Sequence, residues 1–529
     1  MDKSVRILER LDLIRARSLQ PELEYIFKHA LTQEVVYNGL LKKERREIHE
    51  RIGLVIEILF HDRLSEFYEI LAFHFKHGRT VSKAIDYLIK SGEKSLKRYA
   101  VDESHQYYKE AYEILTGTVG LSLESKKHLI RLLIEWAIVF YYRGDFKGLN
   151  ELFSSHVDLA TDIDDDETAG MFFAWLGFTV FFRGEVKASY KYLLKALELG
   201  VKTDNQHVIG YACTWLPFTC ATLGFLDEAI AYGERAQRIS KILPSDHYLF
   251  FKSLTGLGFT YWCKGDGKKA LKAGKTLLDY GELHSNLRST VMGHWILGQG
   301  HLAKGDFQLA IDSFKRGVQV AKDPWYSMCA KHFLGMSYIL SEQFDKAEYV
   351  IKDVLTYGQT YGCELFGNMN IGFQGVVMVV QGHMSKGVVQ LEEALRTFRN
   401  KDCKGVYGIF EHILGKIYSQ IATGAKPAFS VMAKNIGFLV KAVPLAGKKT
   451  EEHFKKAIEI SKEIGAKGPL GAAYLDLGLF YKAKNKNQQA LECISKAIKS
   501  YEECEAVVFL KQAKEGAESL NTEIVRDLS

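Results

Sequence analysis

The amino-acid sequence predicts an all-α protein, built as a solenoid of antiparallel helix pairs. Three observations support this prediction: 47% of the 529 residues are hydrophobic, only seven are proline, and a glycine-containing turn recurs at a nearly constant spacing. Proline interrupts the interior of a helix, so its scarcity favours long helices. A repeat array of this length can form one continuous body, because each repeat packs mainly against its neighbours.

The repeat is marked by turn glycines that stand 40 or 41 residues apart in the middle of the chain. These glycines are Gly144, Gly184, Gly224, Gly265 and Gly305. Small residues precede most of them by seven positions (Ala137, Gly177, Gly258 and Gly298, with Pro217 as the exception) and follow several by five (Ala229, Ala270, Ala310) or twelve (Ala196, Ala236, Gly317). Glycine can adopt the left-handed conformation that ends a helix. Small residues let two helices approach closely where they cross, so each copy is predicted to be a helix, a turn and a second helix.

The pattern continues around Gly335, Gly375 and Gly478, and one segment between Thr423 and Gly447 departs from it. Apolar residues at helical spacing form a stripe in this insertion: Phe429, Met432, Ala433, Ile436, Val440 and Val443. We expect the stripe to belong to an amphipathic helix that packs against the solenoid, with the next repeat helix starting at about Thr450. Docking of a partner on the stripe is the alternative.

The helix pairs resemble the tetratricopeptide repeat, whose usual period of about 34 residues is shorter than the period found here. Four segments, two before the repeats and two in their C-terminal part, carry a second resemblance: Tyr25–Leu31, Leu71–Phe75, Ile464–Gly468 and Ala473–Gly478. They resemble the C-terminal winged-helix and tetratricopeptide region of bacterial signalling proteins that combine a class III adenylate/guanylate cyclase with an AAA (STAND) ATPase. The resemblance covers essentially the whole chain but only the C-terminal half of a typical member. The cyclase's metal-binding aspartates and the ATPase's Walker motifs are absent from this sequence.

Three regions are predicted: residues 1–50 as the end of a winged-helix-like segment, 51–125 as a helical linker with the first helical pairs, and 126–520 as the solenoid with its insertion at 423–447. The first region is expected to hold a helix from Val5 to Ile14, one strand from Tyr25 to Phe27 and a helix from about Thr32. Apolar residues of its first helix would face water: Ile7, Leu8, Leu11 and Leu13. Exposed apolar surface marks an interface or a truncation, so we expect the winged helix to begin outside this chain. Whether Met1 is the true start stays open.

Motifs that suggest catalysis or cofactor binding are better explained by packing. Ala273–Thr276 resembles the end of a P-loop, but Lys269 stands where the pattern needs its first glycine. The pairs Gly298/Gly300 and Gly256/Gly258 lack the third glycine of a dinucleotide fingerprint. Four histidines lie near one another in sequence: His49, His61, His74 and His77. Because their spacing is not that of a metal site, we interpret these histidines as separate core or surface residues.

Charge and cysteine usage constrain partners and compartment. The chain carries 70 basic and 64 acidic residues, and its densest basic patch, Lys42, Lys43, Arg45 and Arg46, is interrupted by Glu44 and Glu47. This patch is interpreted as a solvated helix face, and no nucleic-acid partner is predicted. The eight cysteines include no CxxC pair, which favours reduced thiols and a cytoplasmic location. No apolar run is long enough to span a membrane, and no signal peptide is recognisable.

We therefore predict no catalytic residue, no metal site and no cofactor, and we expect the chain not to be an enzyme. The resemblance implies one exception: His29 follows Phe27 where a winged-helix histidine can contact the ADP phosphate, so His29 is a nucleotide-sensing candidate in a complete parent protein. Its alternative role is local packing.

The predicted function is a regulatory, protein-interaction arm of a bacterial cyclase/ATPase signalling system, which binds partners or ligand through the concave face of the solenoid. Its expected partners are proteins or upstream cyclase/ATPase domains. A free-standing tetratricopeptide adaptor is the first alternative, although the inner helices read as too apolar for a peptide-carboxylate clamp. The second is the tail of a polypeptide whose cyclase activity resides in upstream domains.

Overall fold

The computed structural model describes residues 3–18, 24–117, 123–424 and 435–528. The chain divides into two compact units, Met1–Ser125 and Lys126–Ser529. Apart from two short strands, every regular element in the described ranges is a helix, which confirms the predicted all-α fold. None of these helices combines the length and the hydropathy that crossing a bilayer requires.

The first unit contains a β-hairpin and six α-helices. Its elements are α1 (Lys3–Arg10), β1 (Ile14–Ser18), β2 (Glu24–Phe27), α2 (Ala30–Gly39), α3 (Lys42–Leu59), a 3-10 helix (His61–Glu66), α4 (Tyr68–His77), α5 (Val81–Lys97) and α6 (Val101–Thr116). The predictions of a helix to Ile14 and of a single strand were wrong. Helix α1 ends at Arg10, Asp12 adopts a positive φ of 61°, and Ile14 pairs with Phe27 in an antiparallel hairpin.

Much of the apolar surface in the first unit is exposed. The side chains of Ile7, Leu8 and Leu11 on and after α1 face solvent, as the sequence predicted, whereas Leu13 is half-buried. The same is true of several larger side chains of α2 and α3 and the turn between them: Leu31, Val35, Leu41, Ile58 and Leu59. The buried core of this unit lies instead among α4, α5 and α6, around Leu71, Phe75 and Tyr108.

The regular elements in the described part of the second unit are all helices. They are α7 (Leu123–Arg143), α8 (Phe146–Ser154), α9 (Val157–Asp162), α10 (Asp166–Phe182), α11 (Val186–Lys202), α12 (Gln206–Leu223), α13 (Leu226–Ile242), α14 (His247–Lys264), α15 (Gly267–Leu283), α16 (Leu287–Lys304), α17 (Phe307–Val320), α18 (Pro324–Leu340), α19 (Phe344–Tyr361), α20 (Glu364–Val380), α21 (Met384–Asn400), α22 (Lys404–Thr423), α23 (Ile436–Glu463), α24 (Lys467–Ala483), α25 (Asn487–Glu503) and α26 (Val507–Leu528).

The repeated turn works as its sequence suggested. All five turn glycines of the central repeats have positive φ, for example 71° at Gly144 and 88° at Gly265. In two of these turns the following aspartate caps the next helix: Asp145 accepts a hydrogen bond from the Gly148 amide and Asp266 from the Lys269 amide, at 2.9 and 3.0 Å. At these two turns one dipeptide ends one helix and starts the next.

Small residues lie at helix crossings, though with different partners. A Cβ added at Gly177 would lie 2.8 Å from Cγ and 3.1 Å from the backbone nitrogen of Leu193 on α11, the second helix of its own pair. The same addition at Gly258 would meet Ile296 of α16, the first helix of the next pair. This position therefore serves crossings within a pair and crossings between successive pairs.

The helices wind into a superhelix whose successive turns touch. Each of α10, α12, α14 and α16 contacts the helix ten positions later in the described series, namely α20, α22, α24 and α26. Backbones approach closely at two places: a Cβ at Gly405 would collide with the Ala221 carbonyl oxygen, and one at Gly265 would lie 2.5 Å from the Gly468 nitrogen.

The insertion differs from its prediction. Phe429, Met432 and Ala433 lie outside the described residues. Helix α23 starts at Ile436 rather than near Thr450, and it continues through Pro444. It packs through Ala442 and Ala446, whereas the predicted stripe residues Ile436, Val440 and Val443 are 66%, 68% and 52% exposed. The described part of the stripe therefore faces solvent.

A matched pair of glycine substitutions tests the helix crossing. Gly177→Ala should lower the free energy of unfolding by about 1–3 kcal/mol, because the new methyl overlaps Leu193. Gly367→Ala, inside α20 with no atom near the added Cβ, should raise it by about 0.4–1 kcal/mol. Urea unfolding of both variants measures the difference, and equal effects at the two positions would contradict the close crossing.

Candidate functional site

The residues singled out in the sequence are not assembled into a catalytic centre. His29 precedes α2 as its N-cap, is exposed and makes no side-chain capping bond. The P-loop-like segment Ala273–Thr276 lies inside helix α15, where Gly274 faces Leu297. Across the described ranges, no group of three or more His, Cys, Asp and Glu side chains could hold a metal ion.

Three histidines of the first unit do come together, against the prediction that they are separate. His49 of α3 lies 3.0 Å from His74 of α4 between their Nδ1 atoms, and its ring centroid is 5.2 Å from that of His77. Tyr37 OH contacts His49 Nε2 at 3.0 Å. Burial and the neighbouring imidazoles lower the pKa of His74 to about 4, so it is neutral at pH 7. His61 stands apart, exposed beside Asp62.

The second unit encloses two adjoining cavities. The inter-turn cavity, of about 220 Å³, is lined by Ala221, Trp262 and Leu302 from one superhelical turn and by Gly408, Ile460 and Pro469 from the next. The inner cavity, of about 60 Å³, lies among the helices that face the superhelix axis. The cavities share the wall residues Ala221, Trp262, Cys263, Gly405 and Ile409. Both are largely apolar, as ligand sites usually are.

Lys252 of α14 is the one ammonium group on the wall of the inner cavity. It is 3% exposed, and no carboxylate of the described residues lies within ion-pair distance. Its Nζ donates to Tyr141 OH at 2.8 Å, and Tyr141 OH lies 3.3 Å from Tyr326 OH. The ammonium also lies 4.3 Å from the ring centroid of Trp215 and 5.0 Å from that of Phe218, within cation–π range.

Burial decides the ionisation of this lysine. Desolvation lowers the pKa of Lys252 from 10.5 to about 7, because the aromatic surroundings do not replace the water lost by the charged form. Perturbed pKa values cluster at functional sites, although structural networks can also produce them. Sequence reasoning missed Lys252, since it is only a single polar residue in the apolar run of α14, His247–Lys264.

The chain matches no protein-family model. It is 27% identical over 139 residues to an uncharacterized protein of Rhizobium meliloti (strain 1021), and this match covers 21% of this chain and 13% of that protein. The chain thus spans only a small part of the length of this relative.

Several solved structures are similar in fold. A Rap protein in complex with competence and sporulation factor has a TM-score of 0.46 at 10% identity, covering 71% of this chain and 99% of that one. A signal transduction ATPase with a tetratricopeptide repeat sensor, from Pyrococcus horikoshii, has a TM-score of 0.43 at 14% identity, covering 77% and 60%. NprR in complex with its cognate peptide NprX has a TM-score of 0.41 at 14% identity, covering 61% and 98%.

Replacing the buried ammonium should stabilise the fold in a pH-dependent way. With a pKa of about 7 in the folded chain and 10.5 unfolded, the unfolded chain binds more protons between these values. The penalty of burying Lys252 is therefore full below pH 7 and falls by about 1.4 kcal/mol per pH unit above it. The free energy of unfolding of Lys252→Met should be higher than that of the wild type. The difference should be largest at pH 6–7 and smallest near pH 10.

Urea titrations at pH 6, 7, 8 and 9 provide this comparison. Burial raises the pKa of the nearby Tyr141, Tyr326 and Cys329 well above their usual values and lowers that of His332 to about 3, so none of these groups changes charge in the folded chain over this pH range. Lys264→Met, on the same helix but ion-paired with Asp227, is the control and should show no such trend. A Lys252→Met protein that is less stable at every pH would show that the ammonium stabilises the fold.

Proposed function

We propose that this chain is a non-catalytic, ligand-responsive interaction arm, in which a small ligand enters the inter-turn cavity and changes the contact between superhelical turns. One observation carries the proposal: the walls of this cavity come from two successive turns. A ligand that fills it touches both turns at once, so its binding energy depends on their spacing. A ligand shifts a conformational equilibrium only by such a difference in affinity between states.

The other contacts between turns are compatible with adjustment. Four ion pairs of the described residues bridge them: Lys401–Glu185 at 2.9 Å, Lys187–Asp402 at 3.3 Å, Lys268–Glu505 at 3.3 Å and Arg183–Glu364 at 2.7 Å. Exposed pairs of this kind contribute only about 0–1 kcal/mol each. The binding free energy of a ligand is therefore large enough to outweigh these ion pairs. The spacing between turns can then change while the helix pairs stay intact.

The interior of the second unit gives less support to the alternative function, an adaptor that binds an extended peptide in an open groove. An extended peptide needs a free concave face, but large rings of the inner helices occupy that space and contact one another. Tyr141 lies edge-on to Phe178, Trp215 and Tyr326, with centroid distances of 5.0, 5.7 and 5.7 Å. These contacts join α7 to α10, α12 and α18 across the axis. We therefore favour a small ligand over an extended peptide.

The signalling context is part of the same proposal and rests on the sequence resemblance. We propose that the arm acts on a cyclase/ATPase signalling system and that its first unit contacts an ATPase-type domain. The exposed apolar side chains of α2 and α3 support this assignment, since patches of this kind mark protein interfaces. The hairpin between α1 and α2 supports the assignment of residues 1–50 to the end of a winged-helix-like segment.

Filling the inter-turn cavity tests the proposed function. Ala472 of α24 lines this cavity, whereas Ala483, at the end of the same helix, is exposed. After incubation with a bacterial metabolite extract, native mass spectrometry should show a small molecule on the wild type and on Ala483→Phe. Ala472→Phe should retain none of it, because its ring occupies the space.

Hydrogen exchange shows which helices respond to the bound molecule. The retained molecule should slow amide exchange in both walls, α12–α14 and α22–α24. Absence of a retained molecule, or its equal retention by Ala472→Phe, would overturn the ligand-responsive arm. A molecule that slows exchange in only one wall would contradict the coupling between turns.

A further inference from the structure

We propose that the inner cavity binds the carboxylate of a small aliphatic monocarboxylic acid, and that Lys252, Trp295, Trp325 and His332 hold it. The inference rests on the proposed function, because it specifies which ligand the arm senses. It derives from one property of the cavity: the polar groups of these four residues are hydrogen-bond donors.

Two of these donors are indoles. Trp295 and Trp325 line the inner cavity, and the Nε1 atoms of both are buried without a hydrogen-bond partner. An indole N–H donates and cannot accept. A buried donor that is left unpaired destabilises the fold, so two donors around one cavity are a considerable loss unless an acceptor occupies it.

His332 of α18 supplies a third donor. Its Nδ1 lies 2.7 Å from Asn370 Nδ2, and the same amide nitrogen donates to the Phe366 carbonyl at 2.8 Å. The second bond fixes the orientation of the amide, so His332 Nδ1 accepts and the proton of the neutral ring lies on Nε2. His332 Nε2 is itself buried without a partner. Burial lowers the pKa of His332 to about 3, which keeps the ring neutral.

Lys252 adds the charge. Its hydrogen bond to Tyr141 OH uses one of three ammonium protons, and no carboxylate of the described residues neutralises it. Three neutral donors and one cation around a single cavity favour an acceptor with one negative charge. A carboxylate meets this requirement with two oxygens that together offer about four acceptor sites.

Charge and size exclude larger anions. Among the described residues, Lys252 is the one lysine or arginine that lines the inner cavity, and the buried Arg288 is already bound to Asp323 through Nε and Nη2 at 2.7 and 2.9 Å. One ammonium does not neutralise a phosphate dianion in an apolar surrounding. A cavity of about 60 Å³ accommodates a head group with a short aliphatic segment. A longer tail would pass the shared wall into the inter-turn cavity, where it would touch both turns.

Calorimetry on the full chain tests the assignment with acetate, butyrate and hexanoate as probes and with butyramide as the neutral isostere. We expect butyrate to bind and butyramide to bind at least tenfold more weakly. Lys252→Met should weaken butyrate binding at least tenfold while the fold gains stability. Trp325→Phe should weaken it about three- to tenfold, and the control Lys264→Met should leave it unchanged.

Fluorine NMR of 5-fluorotryptophan-labelled chain reports on the donors directly. Of six tryptophan signals, those assigned to Trp295 and Trp325 by phenylalanine substitution should shift when butyrate is added. To compare a peptide with the free acids, the same measurements are made with acetyl-Ala-Ala, a peptide that ends in a carboxylate.

Four results would overturn the inference: no binding of any acid to the folded chain, equal binding of amide and acid, butyrate binding unaffected by Lys252→Met, or binding of the peptide without the free acids. A metabolite that requires the inter-turn cavity but is indifferent to Lys252→Met would overturn the carboxylate site alone. The ligand-responsive arm would then remain.

Discussion

The contact between successive superhelical turns is the constraint on which the rest of the second unit depends. The turns meet through backbone atoms, at Gly405 against the Ala221 carbonyl and at Gly265 against Gly468, where any side chain would separate them. Because the turns touch, the space between them is a cavity whose walls come from two successive turns. The inner helices are held near the axis, and their aromatic side chains contact one another across it.

The packing of the inner helices around the axis explains why a lysine inside the superhelix lowers the stability of the fold. Lys252 is almost fully buried, and no carboxylate in the described part of the chain is ion-paired with it; burial of an unpaired charge is among the largest penalties in protein folding. A methionine of similar length would fill the same space without that penalty. A binding role for Lys252 accounts for a residue that stability alone disfavours, and active sites commonly show this trade-off between stability and function.

The helix pairs and their turns were predictable because each depends on residues close in sequence. A turn glycine ends one helix and, at Asp145 and Asp266, the next residue caps the following helix. The site was not predictable, since Lys252 and Tyr141 are 111 residues apart and meet only through the superhelical winding. No 40-residue pattern encodes that winding. The hairpin was missed for a related reason: β1 is short, and its pairing with β2 defines it.

Zero-length carbodiimide cross-linking of the unmodified chain tests the contact between turns most directly, because it couples an amine and a carboxylate only where they touch. Peptide mass spectrometry should identify the inter-turn pairs Lys401–Glu185, Lys187–Asp402 and Lys268–Glu505, with a yield comparable to the intrahelical pair Lys455–Glu451. Intrahelical cross-links without any of the three inter-turn cross-links would contradict the closed superhelix and, with it, the enclosed cavities.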